Sequence, residues 1–334
     1  MNISNSSGQV RVKIIGTGSY LPERIVHNEE LAKQLPNTSD EWIFSHTGIS
    51  TRHLASSDDS PSGMGIEAAK KALDMAGVAP EDLGFILLSS TTTDFAPIPP
   101  TSCVIQRALK AKNSAAFDIT AACCGFVYNL EIARSFFQSP HNRRPILVIA
   151  TEMMSRMVDW TDHKTCVLFG DGAAAAVLVP SDSESCIVDT IMKADGTGTD
   201  YLRITGGCET PTSHFDNSPH ILYMEGKKVF TFAIKVLPAV INSLMERNNL
   251  TTDDITHIIP HQANYRIIHS AATRLGFTDD RFFLNVSRVA NTASASIPIA
   301  MDEMNRAGML KRGDKIITAG FGAGLTYGGN LIIW

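Results

Sequence analysis

Apolar positions along this chain gather into short strand-like runs, each set after a stretch of helical spacing. Residues 85–88 and 257–259 are such runs, with the continuous apolar character of strands buried on both faces of a sheet. Each follows a helix-like segment, residues 68–76 and 239–247, and a polar turn with paired acids, Glu81-Asp82 and Asp253-Asp254. This is one pattern written twice: VAPEDLGFILLSS from Val78 and LTTDDITHIIPHQ from Leu250 stand 172 positions apart. A second echo joins PILVIATE from Pro145 to KIITAGFG from Lys315, and FGDG at Phe169 to FGAG at Phe321. The alternation of helix and strand predicts an α/β architecture of parallel sheets covered by helices. Two pseudo-repeated halves, residues 1–182 and 183–334, join in the polar stretch at 181–185. A barrel of eight repeats would need more copies than the chain contains. Residues 196–219, rich in Gly, Thr, Ser and Pro, read as one long irregular loop, either substrate-covering or interface-forming, or a plain surface excursion.

Composition narrows the picture. The chain has 334 residues, 44% hydrophobic and 19% charged, enough for a large core. A formal charge of −5 supplies no general basic field for nucleic acid or an anionic membrane. The first residues lack a charged start followed by an apolar run, and unbroken apolar stretches fall short of the roughly 18 residues of a membrane span. A soluble cytoplasmic protein is the expectation. The six cysteines, Cys103, Cys123, Cys124, Cys166, Cys186 and Cys208, are scattered and form no C-x-x-C pair, which predicts neither a disulfide scaffold nor a metal site.

Four segments carry candidate chemistry. In AAFDITAACCGFVYNLEIARSFF a strand-like run leads through small residues to Cys123, Cys124 and Gly125, after which Phe126, Leu130, Ala133 and Phe137 recur at helical spacing. Cys123 is thereby set near a helix N-terminus, where unpaired N–H groups and the helix dipole favour a thiolate. A small buried hydrophobe is the plain reading of a lone cysteine, while Ala121, Ala122 and Gly125 fit close approach by a substrate. In IIPHQANYRII, His261 stands just beyond the second-half strand, at the carboxyl end where open α/β sheets bind ligands. An imidazole there can trade protons near neutral pH; a histidine satisfied by a local turn gives the same pattern, and His257 within the strand is read that way. Asn291 precedes a run of small residues that opens a helix, the usual place of a cap. AGFGAGLTYGGNLII is a glycine-rich turn that can present backbone N–H groups to an oxyanion. Without a phosphate-loop lysine or a strand-turn-helix G-x-G-x-x-G, it does not indicate nucleotide binding.

Together, GTGSYLPERIVHNEEL, TSDEWIFSHTGISTRH, FDITAACCGF, FGDGAAAAVL, PHQANYRII, ANTASASIP and GFGAGLTYG stand in the order and at the spacing of the thiolase-like condensing enzymes. The chain most closely resembles the family of β-ketoacyl-acyl carrier protein synthase III, over nearly its whole length. That resemblance implies a thiolase-like α/β fold, two pseudo-repeated halves with mixed five-stranded sheets and helices in a layered αβαβα arrangement. Residue by residue it makes Cys123 the nucleophile, His261 and Asn291 its catalytic partners, and the backbone N–H groups of Cys123 and Ala323 the oxyanion hole. Trp42 matches a coenzyme A contact, whereas His46 and His163 stand where the family commonly has arginines; an imidazole is positive only when protonated, a guanidinium always. Cys124 takes a place usually held by a small residue, and Ala290 precedes Asn291 where a glycine is usual. Arg266 and Arg274 match basic positions for carrier-protein docking. A homodimer is implied, paired through the first-half sheet, with the loop at 94–100 carrying Ile98 into the acyl pocket of the other subunit.

The implied reaction is a decarboxylative Claisen condensation of an acyl-coenzyme A primer with malonyl-acyl carrier protein, initiating fatty acid synthesis through an acyl-cysteine. It needs no metal or redox cofactor, because the thioester supplies the electron withdrawal. A thiolase would use a second cysteine near its C-terminus, and none follows Cys208. Long-chain synthases use two histidines, and the chalcone-synthase-like branch fits HQAN, DEWI and the length less well. Two alternatives stay open: a specialised-metabolism relative using another acyl donor, and a non-catalytic partner subunit with the same fold.

Overall fold

The computed structural model describes residues 9–95, 97–205 and 220–334. Its first half runs β1 (Arg11–Tyr20), β2 (Arg24–His27), α1 (Asn28–Ala32), α2 (Asp40–Thr47), β3 (Thr51–Leu54), α3 (Pro61–Ala76), β4 (Phe85–Ser89), α4 (Thr101–Leu109), β5 (Ala115–Ile119), α5 (Gly125–Phe136), β6 (Ile146–Met153) and β7 (Asp171–Ser181). The second half runs β8 (Cys186–Ala194), β9 (Leu202–Ile204), β10 (Leu222–Met224), α6 (Gly226–Arg247), β11 (His257–Pro260), α7 (Tyr265–Leu275), α8 (Val286–Val289), α9 (Ser296–Arg306), β12 (Lys315–Gly322) and β13 (Thr326–Ile333).

The first sheet has the order β1-β7-β6-β4-β5 and the second β11-β12-β13-β8, while β2 with β3 and β9 with β10 form separate ribbons. Both sheets are mixed. β4 is parallel to β5 and β6, and β11 to β12, but β7 and β13 run antiparallel to their neighbours. Among the described residues the second sheet has four strands where five are expected. Where a fifth would flank β11, Phe282 makes only a single bridge to Ile258. The chain is then drawn off, because the N–H groups of Asn285 and Val286 donate to the buried side-chain oxygen of Gln262 at 3.1 and 3.2 Å.

Side-chain size sets the layering. On β7, Ala173, Ala175 and Val177 pack with Ala68 and Ala72 of α3, while Ala174, Ala176 and Leu178 face Phe126 of α5 and Ile299 of α9. Such small residues let helices approach this interior strand closely on both faces. In the second sheet Ile259, Ile316 and Ile332 point into that same inner core, and Ile258, Ile317 and Leu331 pack with α6 and α7. The layers are therefore α3/α4, first sheet, α5/α9, second sheet and α6/α7, the αβαβα arrangement.

Two expectations are corrected here. Residues 196–219 are not wholly irregular: a 3-10 turn, Gly196–Tyr201, leads into β9, which pairs with β10, while residues 206–219, Cys208 among them, lie outside the described residues. And α6, with 22 residues, is long and apolar enough to cross a bilayer by length and composition, which counting unbroken apolar runs did not reveal. It packs instead on the second sheet, with Ala233, Leu237, Ile241 and Leu244 buried.

Candidate active site

Strand ends assemble the site. After β5 the chain turns through Thr120 and Ala121 into a single 3-10 turn, Ala122–Cys124, that runs on into α5. Ala122 has a φ of +46°, left-handed backbone that costs a residue with a Cβ about 1–3 kcal/mol. Two glycines make room for this turn. A Cβ on Gly322, at the end of β12, would lie 2.6 Å from the Cys123 backbone nitrogen, and one on Gly125 would collide with Ser89 Oγ at the end of β4.

The structure reverses the expectation of a thiolate at rest. Cys123 is only 9% exposed, and burial, reinforced by the nearby Glu152 carboxylate, pushes its thiol up to about 12. The 3-10 turn also holds Cys123 ahead of the first turn of α5, so its own backbone N–H is the modest opposing influence. Cys124 is fully buried, its thiol likewise raised by burial, and it does not line the cavity that Cys123 faces.

His261 follows β11, its N–H donating to the Ala319 carbonyl at 2.8 Å. The ring is 1% exposed, packs edge-on against Phe321 and shares a 2.6 Å hydrogen bond between Nδ1 and Ser296 Oγ at the start of α9. Burial pulls its pKa down to about 3, so the imidazole is neutral. The following motif residues secure it. Gln262 donates through Nε2 to the carbonyls of Pro260 and Phe283, and Asn264 caps α7 through Oδ1 while its Nδ2 donates to the His46 carbonyl.

Asn291 is not the cap the sequence suggested, since Thr292 and Ala295 hold the N-cap positions of the 3-10 turn and of α9; it closes a local turn and faces the cavity. Its Oδ1 accepts from the Ala293 N–H at 2.9 Å, which leaves the amide NH2 as the group to donate inward. Ala293 has the same φ of +46° as Ala122, and its 3-10 turn, Ala293–Ala295, enters α9 as the Cys123 turn enters α5. The two halves thus carry one backbone device, with Ser294 where the first half has Cys123.

Cys123, His261 and Asn291 all line one largely apolar cavity of about 1280 Å³, together with Ala323, Phe169, Leu202, Leu222 and Phe321. At its mouth Trp42 stacks on His46 with ring centroids 4.5 Å apart and meets His163 edge-on at 5.6 Å. Arg266 lines the mouth, but Arg274, at the far end of α7, does not. Ile98 is 77% exposed and stands outside its own chain's cavity, whose nearest loop contributors are Pro97 and Pro100. Sequence reasoning missed Ser296, whose only signal was a serine opening a helix, and the lining cations Lys164, Arg203 and Lys227, which no motif marked.

Comparison with known proteins points one way. The family model described as 3-oxoacyl-[acyl-carrier-protein (ACP)] synthase III matches residues 117–196, and its C-terminal counterpart matches residues 245–334. A protein named beta-ketoacyl-[acyl-carrier-protein] synthase III from Caldanaerobacter subterraneus is 44% identical, with 98% of each chain covered. One of the same name from Clostridium acetobutylicum is 42% identical, covering 97% of this chain and 98% of the other. Among solved structures, 3-oxoacyl-[acyl-carrier-protein] synthase III from Aquifex aeolicus has 40% identity and a TM-score of 0.89, covering 97% of this chain and all of that one. The priming beta-ketosynthase from the R1128 polyketide biosynthetic pathway has 36% identity and a TM-score of 0.90, covering 99% of each.

Proposed function

This chain belongs to the 3-oxoacyl-[acyl-carrier-protein] synthase III family and is a condensing acyltransferase, and on that premise we propose that it joins an acyl-coenzyme A primer to malonyl-acyl carrier protein, initiating fatty acid synthesis. The observation that carries this reading is the convergence of Cys123, His261 and Asn291, drawn from both halves, on one cavity.

Cys123 Sγ attacks the primer thioester, its proton ends on the departing coenzyme A sulfur, and the acyl group stays on the enzyme. A thiol held up to about 12 favours this order, in which the proton leaves only as the bond forms. The backbone N–H groups of Cys123 and Ala323 stabilise the tetrahedral oxyanion. Malonyl-acyl carrier protein then enters. Ser296 Oγ accepts from the Gln262 N–H at 3.4 Å, so its hydroxyl proton can serve His261 Nδ1, which fits a ring proton on Nε2. From there His261, with the Asn291 amide, donates to the malonyl thioester oxygen. The bond to the carboxylate breaks, carbon dioxide leaves, and its electron pair forms an enolate. The enolate carbon attacks the acyl-cysteine carbonyl, expelling Cys123 as a thiolate that regains a proton from water.

Trp42, His46 and His163 would receive the nucleotide end of coenzyme A, and Arg266 with Arg274 the carrier protein. A homodimer in the cytoplasm, with Ile98 of each subunit entering the other's acyl pocket, completes the reading. Because both thioesters supply their own electron withdrawal, the reaction calls for no resident cofactor. Incubation with a panel of acyl-coenzyme A thioesters should add one acyl mass to Cys123, and malonyl-acyl carrier protein should then release a β-ketoacyl carrier protein. Absence of any adduct would overturn this reading and favour a non-catalytic subunit. The likeness to a polyketide priming ketosynthase supports a second reading, the same chemistry in a specialised pathway; the preferred primer in that panel distinguishes the two.

A further inference from the structure

A buried carboxyl behind the cavity enters the chemistry above only through its charge near Cys123. Glu152, at the end of β6, is fully buried and is not a lining residue. Its Oε2 accepts from the Thr91 N–H at 3.0 Å, Thr91 Oγ1 at 2.8 Å and Thr92 Oγ1 at 3.1 Å, and its Oε1 accepts from Ser294 Oγ at 2.6 Å. Thr92 is itself fixed, since its Oγ1 accepts from the Met153 N–H at 2.7 Å. One side chain therefore ties the segment after β4 and the end of β6, both in the first half, to Ser294 in the second. Ser294 lies between Asn291, whose Oδ1 is held by the Ala293 N–H, and Ser296, which holds the His261 ring.

We propose that Glu152 is a positioning residue for the enolate-forming half-reaction, acting through Ser294 to set Asn291 and the Ser296–His261 pair against Cys123. This rests on the condensing reading given above. Glu152 makes no hydrogen bond to Cys123 and reaches its thiol only through charge, which Glu152→Ala and Glu152→Gln remove alike, so the difference between those two variants reads the hydrogen bonds alone.

The network also dictates which substitution preserves it. In Glu152→Gln the amide oxygen can keep accepting from Thr91 and Thr92, while the amide NH2 donates to Ser294 Oγ. The Ser294 hydroxyl proton then turns to the Ser89 carbonyl, 3.4 Å away. Glu152→Ala removes the tie altogether.

The test measures two half-reactions separately: acyl transfer to Cys123 by intact mass, and carbon dioxide release from malonyl-acyl carrier protein without a primer. Glu152→Ala should slow carbon dioxide release about a hundredfold, the scale of a misplaced catalytic group, with acylation kept within about threefold. Glu152→Gln should restore release. Ser294→Ala cuts the same bond from its other end and should reproduce the split, which decides the matter if Glu152→Ala does not fold. The double variant Glu152→Ala with Ser294→Ala should be no worse than either single one. Equal loss in both half-reactions, unimpaired release, failure of glutamine to rescue or additive damage each overturn the proposal. A wild-type enzyme that neither accepts an acyl group nor releases carbon dioxide overturns the condensing reading itself.

Discussion

Acid should destabilise this protein through His261 by an amount that follows from its surroundings. Burial holds the imidazole down to about 3 in the folded protein, whereas a histidine in an unfolded chain titrates near about 6.5. Below the higher value the unfolded chain takes up a proton that the native state refuses, so native stability falls with pH until the folded ring also protonates. At pH 5 the unfolded ring is protonated and the native one is not, a gap of about 1.5 units. With about 1.4 kcal/mol per unit, His261 alone removes roughly 2 kcal/mol between pH 7 and pH 5. Glu152 and Asp171, whose carboxyls burial pushes up, contribute with the opposite sign and equally in wild type and variant. Urea unfolding of the wild type and of His261→Asn at the two pH values isolates the histidine. The wild type should lose roughly 2 kcal/mol more than the variant. Losses that agree within about 0.5 kcal/mol would mean that the ring protonates normally in the fold, and the neutral donor assigned to it would be wrong.

Four further outcomes are expected. Cys123→Ala should abolish the acyl adduct seen by intact mass, while Cys124→Ala, which alters a thiol outside the cavity, should retain it. With the Cys123 thiol at about 12, its alkylation by iodoacetamide should climb about tenfold per pH unit across the neutral and mildly alkaline range, and a plateau near pH 8 would refute the burial argument. Gly322→Ala should slow acylation about a hundredfold, because the new Cβ presses on the nucleophile's own backbone; single-turnover kinetics reads this, and a wild-type rate would show that the turn has room. The double variant His46→Arg with His163→Arg should bind coenzyme A more tightly by calorimetry, and no gain would remove these positions from the phosphate contacts.

The pseudo-repeat and the strands 85–88 and 257–259 were legible because buried strands leave continuous apolar runs, and the structure places β4 and β11 there. Cys123, His261 and Asn291 were legible as motif residues, yet only the fold brings positions so distant in sequence to one cavity. Burial was the hidden variable. A cysteine before a helix reads as an activated thiol, and nothing local announces that the second half closes over it. Glu152 was equally hidden: in ILVIATEM it looks like an ordinary strand end, and its partners Thr91 and Ser294 are 61 and 142 positions away. The expected fifth strand is cut short by a side chain: after the Phe283 N–H pairs with the Ile258 carbonyl, the N–H groups of Asn285 and Val286 are taken by Gln262.

The inner layer shared by the two sheets bears on how such a chain can be made. All strands of the first sheet lie between Arg11 and Ser181, so a ribosome delivers them before any of α9 exists. Until Ile297, Ile299, Ala300 and Met301 emerge, the inward face of that sheet has α5 as its only helical cover, and the same core also waits for Ile316, Ile332 and Trp334. A nascent first half therefore exposes a broad greasy plane for the whole time that the second is being translated, the condition under which growing chains stick to one another or recruit chaperones. Expressing the halves as two polypeptides would make that exposure permanent unless they met, so a split version of this protein should be soluble only when both pieces are produced together.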